Sequence, residues 1–119
     1  MKEVFEIFKN LGYDGLYFRQ GSLGNDQWPN NFFTYFNVDT PGIAYRDNKL
    51  TQYSVNTIVY FYSNDSDFVY EEMDRFETEA RKKGFIIAGK SYDAPSGRND
   101  YFGRLLNIKK LYKEENLNG

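Results

Sequence analysis

Three groups of carboxylates in this chain stand close enough together for chemistry. They are Asp65 with Asp67, Glu71 with Glu72, and Asp93 with Asp100, the last pair bracketing Arg98. Paired carboxylates do acid–base work when their surroundings drive their pKa values apart, and they hold hard cations when several oxygens converge. Asp65 and Asp67 flank the start of a predicted helix, and Glu71 and Glu72 lie side by side within it. Capping and solubility explain all four. The spacing around Arg98 matches no defined cation loop, so a metal or phosphate site there is only a minor alternative. Gly21-Ser22-Leu23-Gly24 is not followed by Lys-Ser or Lys-Thr and does not open a helix, so it is not a phosphate loop.

The chain has no His and no Cys. That removes the commonest general base, the commonest transition-metal ligand, thiol catalysis, thiolate zinc sites and disulfides. A Ser-His-Asp triad cannot be assembled. The composition therefore argues against an enzyme and implies no cofactor and no metal. Fifteen basic and seventeen acidic residues give a net charge of −2, without the basic excess that grips phosphates. Tyr60, Tyr62, Tyr101 and Phe102 offer rings that could stack bases. The Lys109, Lys110 and Lys113 cluster beside them runs straight into Glu114 and Glu115, which leaves no basic groove and no specific nucleic-acid partner. No apolar run is long enough to span a membrane, and Met1-Lys2-Glu3-Val4 does not open a signal peptide. An intracellular protein is the expectation.

Hydrophobic residues make up 40% of the 119 positions and aromatics 19%, including eleven Phe and eleven Tyr. Rings must therefore do the packing that Leu and Ile usually share. Val4, Phe5, Ile7, Phe8 and Leu11 form one apolar stripe on a helix over residues 2–11, stopped by Gly12. Gly15 to Arg19 adds a short extended piece. Residues 20–31, rich in Gly and amides, form a loop carrying the only Trp, Trp28. Trp28 has two readings: it folds back to cap the core, or it stands out as an interface anchor.

Residues 32–38 form a strand, and Asp39-Thr40-Pro41-Gly42 a turn. A short strand resumes at Ile43-Ala44-Tyr45, and a second turn at Arg46-Asp47-Asn48-Lys49 leads into a long strand over 50–62. These three strands are expected as an antiparallel meander. In the long strand Tyr53, Val55, Thr57, Val59 and Phe61 alternate with Gln52, Ser54, Asn56, Ile58, Tyr60 and Tyr62. A period of two places one set inward and offers the other. The offered set carries tyrosines and amides rather than charge, the chemistry of a surface that binds protein.

A helix follows, with Ser66 or Asp67 as N-cap, Val69, Met73, Phe76 and Ala80 as its buried stripe, and Gly84 at its end. A strand from Phe85 running on to Tyr92, a polar loop over 93–100 and a last strand over 101–112 complete the domain. The reading is a single α+β domain over 1–112, of order α-β-β-β-α-β-β, with helices on one face of an antiparallel sheet and a polar, disordered tail over 113–119.

Thr57-Ile58-Val59-Tyr60-Phe61-Tyr62-Ser63, the helix after it, Gly84-Phe85-Ile86-Ile87-Ala88-Gly89 and the closing Tyr101-Phe102-Gly103-Arg104-Leu105 resemble one family. It comprises the small tail-completion and tail-terminator (head–tail joining) proteins of long-tailed bacteriophages and prophages. The resemblance covers roughly residues 30–112 and lies in the order of elements more than in any one residue. It implies a homo-oligomeric ring, commonly a hexamer, at the tail end or head–tail junction, touching other tail or connector proteins. It implies no catalysis, and a location in the host cytoplasm during assembly and then in the virion. Trp28, Tyr92, Arg98, Tyr101 and Arg104 are the candidate interface anchors, and loops 20–31 and 93–100 the segments that order on assembly. An adaptor domain that binds protein without catalysis is the alternative.

Overall fold

The alternating middle of the chain becomes the central strand of a seven-stranded sheet in the computed structural model, which describes residues 2–24, 27–38, 44–46 and 49–113. In chain order the elements are α1 (Lys2–Asn10), β1 (Tyr17–Arg19), β2 (Asn31–Val38), β3 (Ala44–Arg46), β4 (Lys49–Ser63), α2 (Phe68–Lys82), β5 (Ile86–Ile87), β6 (Tyr92–Ala94) and β7 (Phe102–Lys113). The expected α+β class is what the chain adopts. The turns at 39–42 and 47–48 and the tail from 114 onward lie outside the described residues.

The sheet runs β1-β2-β4-β7-β5, with β3 also on β4 and β6 also on β7. Its neighbours are antiparallel except β1 and β2, which run parallel and make the sheet mixed. The expected three-strand meander is not what forms. β2 pairs with residues 56–63 of β4 and β3 with 49–52, so β3 does not lie between β2 and β4. At fifteen residues β4 is long enough to take both along one edge, and β2 and β3 together act as one interrupted strand. The same happens on β7. The expected strand from Phe85 to Tyr92 breaks at Gly89, whose φ of +84° ends the extended run. β5 and β6 then pair separately with β7, and Asp93 and Ala94 belong to β6 rather than to the loop.

Residues directly opposite in a ladder share a face. Phe33, Phe61 and Arg104 are opposite one another, as are Tyr35, Val59 and Leu106, and Asn37, Thr57 and Ile108. On this face α1 and α2 pack. Val4, Ile7 and Phe8 of α1 and Val69, Met73, Phe76 and Ala80 of α2 are buried against Phe33, Val59, Phe61, Leu106 and Ile108. The core is a nest of rings: Phe33 lies 4.8 Å from Phe8, 4.9 Å from Tyr13, 4.7 Å from Phe61 and 5.5 Å from Phe76, centroid to centroid.

Two features of α2 depart from expectation. Its first N–H groups are capped by Asp65, whose Oδ1 accepts from the amides of Asp67 at 3.0 Å and Phe68 at 3.3 Å. Asp67 occupies the N-cap position without a side-chain bond, because its backbone is already helical. Glu72 is not a solvated residue of the helix. It is 1% exposed, accepts the Tyr13 hydroxyl, and pairs with Arg75 at the surface. Burial first, and the Glu72 carboxylate second, hold the Tyr13 phenol well above its ordinary range.

Ion pairs also fasten α1. Lys110 of β7 bonds Glu3 and the carbonyl of Lys83, and Tyr112 donates to Glu3 at 3.1 Å. The Lys110 hydrogen bond is the main reason the Glu3 carboxyl sits below its usual value. Lys83 pairs with Glu6 across 3.2 Å, and Glu79 takes Lys82.

Candidate interaction surface

The same register builds the opposite face. Phe32, Tyr62 and Gly103 align, then Thr34, Tyr60 and Leu105, then Phe36, Ile58 and Asn107, then Val38, Asn56 and Lys109. Ile86 lies beside Lys109 and Tyr92 beside Leu105, while Ser54 pairs with Leu111. Neither helix packs here. Seven large apolar residues are markedly exposed among the described residues, and five of them are on this face: Phe36, Val38, Ile86, Tyr92 and Leu111. The other two, Tyr70 and Phe102, are on α2 and on the helix side of β7. Asn56 and Lys109 stand between Val38 and Ile86 in the register, so the exposed apolar residues are interspersed with polar ones, the mixture typical of interaction surfaces.

One end of the face is roofed by the chain itself. The Trp28 ring lies 5.5 Å from Phe32, 5.8 Å from Tyr62 and 5.1 Å from Tyr101. The Tyr101 hydroxyl donates to the carbonyls of Trp28 and Pro29, both at 2.9 Å, and fixes the loop over the rings. Arg98 stacks on Trp28 with its guanidinium carbon 4.1 Å from the centroid. Beside them a half-open notch of about 410 Å³ is lined by Gln20, Leu23, Trp28, Phe32, Thr34 and Tyr62. Gln20 donates to the Tyr62 hydroxyl at 3.2 Å, and Thr34 donates to Gln20. Burial pushes the Tyr62 phenol above its ordinary value, against the opposing pull of the Gln20 bond.

The structure thus gathers three of the five candidate anchors, Trp28, Arg98 and Tyr101, into one internal cluster. Tyr101 is buried and Trp28 and Arg98 half-buried, so Trp28 folds back on the sheet. Arg104 is separate, on the helix side. It bonds Ser91 Oγ at 2.9 Å, the Ser91 carbonyl at 3.0 Å and Asp93 at 2.8 Å, and its guanidinium carbon lies 4.3 Å from the centroid of the Tyr70 ring. These contacts tie β6 to α2. Tyr92, 52% exposed, is the one of the five that stands on the open face. Phe36, Val38, Ile86 and Leu111 were not singled out by sequence. Their outward place in the period-two pattern was the available signal, but that pattern does not say which outward ring a loop will cover.

Gly103 is where the two strands beneath the roof require glycine. A Cβ there would come within 2.7 Å of the Ala94 carbonyl oxygen and 2.8 Å of the Tyr62 ring. The backbone oxygen cannot move aside without breaking the β6–β7 pairing. Gly103→Ala is expected to lower unfolding free energy by about 1–3 kcal/mol, the range for overpacking, and a urea titration checks it.

Among the described residues no group of three or more acidic side chains converges as a metal site would require. No helix is long and apolar enough to cross a membrane. No protein-family model matches the chain, and no curated protein matches it.

Proposed function

We propose that this chain is a structural protein of a phage or prophage, placed at the tail end or head–tail junction, which assembles by protein–protein contacts into a ring of the tail-completion type. The observation that carries the reading is the sheet's second face. It leaves Phe36, Val38, Ile86, Tyr92 and Leu111 exposed on the side of the sheet opposite the helices. A weakly charged, tyrosine- and amide-bearing surface suits assembly, and the resemblance drawn from the sequence supplies the ring and its place in the virion. The chain acts without catalysis in this reading. It folds in the host cytoplasm and ends in the virion, meeting copies of itself and connector or tail proteins.

Light scattering after size exclusion, over a wide concentration range and with negative-stain images of any large peak, tests the ring. The same measurement is repeated with tail-tube or connector proteins added. A discrete closed ring, alone or on those partners, is the expected result. A chain that forms no ring alone and none with them overturns the reading.

A further inference from the structure

We infer that residues 27–30 and 95–101 form a clasp that opens as a unit of its own, ahead of the rest of the domain, and uncovers the aromatic side chains beneath it. The inference concerns a single chain and stands apart from the assembly proposed above. Two apolar clusters lie on opposite faces of the sheet, and neighbours along a strand belong to different ones. Phe33 and Phe61 are on the helix side, Phe32 and Tyr62 on the roofed side. Among the described residues Leu16 alone packs against both. The helix side holds fourteen buried residues and the roofed side three, Phe32, Tyr62 and Tyr101. A segment opens locally at a cost set by what it buries, so the lighter cluster opens first. The sheet stands between the two, and the helix side keeps its packing when the roof lifts.

Side chains rather than a strand ladder hold the roof. Trp28 and Pro29 are half-buried, Gln27 and Asn30 exposed, and none of the four belongs to a strand. The carbonyls of Trp28 and Pro29 share one proton, that of the Tyr101 hydroxyl. The Trp28 indole N–H goes to the Gly24 carbonyl at 3.2 Å, an exposed contact. Asn30 meets Asn64 through two bonds of 3.2 Å, one between backbones and one between side chains. In the other half of the clasp Ser96 Oγ lies 2.8 Å from the carbonyls of Arg98 and Tyr101, which sets Arg98 over the Trp28 ring. The Tyr101 hydroxyl is thus the latch between the halves. The floor does not depend on it: Phe32 and Tyr62 are opposite each other on β2 and β4, stacked at 5.4 Å. Opening leaves a formed aromatic shelf, continuous with the Thr34, Tyr60 and Leu105 row of the open face.

Trp28 is the only Trp, so emission excited where tyrosine does not absorb reports the roof, while far-ultraviolet circular dichroism reports α1 and α2. In a urea titration of the full chain the Trp28 transition should come at lower urea than the dichroism transition. The hydrophobic dye anilinonaphthalene sulfonate should bind between the two. Tyr101→Phe keeps the ring and removes the latch. It should raise the opening constant of the roof about three- to tenfold, the share of one hydrogen bond, and lower the Trp28 midpoint while the dichroism midpoint stays. Tyr13→Phe, on the helix side, should lower the dichroism midpoint and leave that of Trp28 in place. Coincident transitions in the parent chain overturn the inference. So does a Trp28 midpoint that Tyr101→Phe does not move, or one that Tyr13→Phe moves together with the dichroism. Absence of dye uptake between the transitions overturns the uncovering of the shelf.

Discussion

Glu72→Ala is expected to destabilise the domain by about 2–4 kcal/mol, from a buried hydroxyl left without its acceptor and the void opened beside it, while Arg75 stays solvated. On a total stability of about 5–15 kcal/mol that is a large fraction. The carboxylate is 1% exposed and serves two groups, the Tyr13 hydroxyl from the turn after α1 and the Arg75 guanidinium one helical turn on. Truncation strands the Tyr13 hydroxyl in the core and opens a void beside it. Glu72→Gln, which retains an acceptor oxygen and the shape, should cost only about 1–3 kcal/mol. Chemical denaturation at neutral pH measures both.

The partner gives the same contact a pH signature. Tyr13 titrates above its ordinary 10.0 in the folded state. A raised folded pKa contributes stability that is complete below the unfolded value and is lost as pH rises through the folded one. Stability should therefore fall on the alkaline side of pH 10.0. Tyr13→Phe should remove part of that slope. Tyr62, also raised, supplies a remainder. An alkaline limb of unchanged steepness in Tyr13→Phe would show that Tyr13 ionises freely in the native state.

Phe33→Ala is the second large effect, with an expected loss of about 3–5 kcal/mol. Phe33 is fully buried and its ring touches Phe8, Tyr13, Phe61 and Phe76, so it joins α1, the following turn, β4 and α2. The cavity would open where both helices meet the sheet, and aromatic neighbours on four elements cannot all collapse into it. Phe36→Ala, three residues along the same strand, should stay within about 0.5 kcal/mol in the monomer because its ring faces solvent. Guanidinium midpoints at constant m-value separate the two. A similar loss at both positions would mean that the open face is covered in the isolated chain.

The contrast between Phe33 and Phe36 shows what the sequence carries. Period-two alternation placed the two on opposite faces, and the stripe of Val69, Met73, Phe76 and Ala80 identified the face of α2 that covers one of them. These are local patterns, set by backbone geometry and readable from neighbours a few positions apart. β4 was legible for the same reason, and so was Gly84 as the stop of α2, at a φ of +87°. Strand order was less so. Nothing near β3 says that β4 is long enough to hold it end to end with β2, and nothing near Gly89 says that β7 will take β5 and β6 as separate pieces.

Glu72 marks the limit from the other side. It falls on the inner side of its helix, one residue from Met73 and four from Phe76, but a carboxylate there reads as solvated because burying a charge alone is costly. The hydroxyl that makes it tolerable comes from Tyr13, 59 positions away. Trp28 and Tyr101 repeat the lesson across 73 positions. By itself the sequence determined the α+β class, the helix faces, the alternation of the strands, and a chain without histidine or cysteine chemistry. Only the tertiary structure decided which outward residues are roofed and which stay open, because a roof is made by a segment distant in sequence, and local periodicity carries no information about what will arrive from far along the chain.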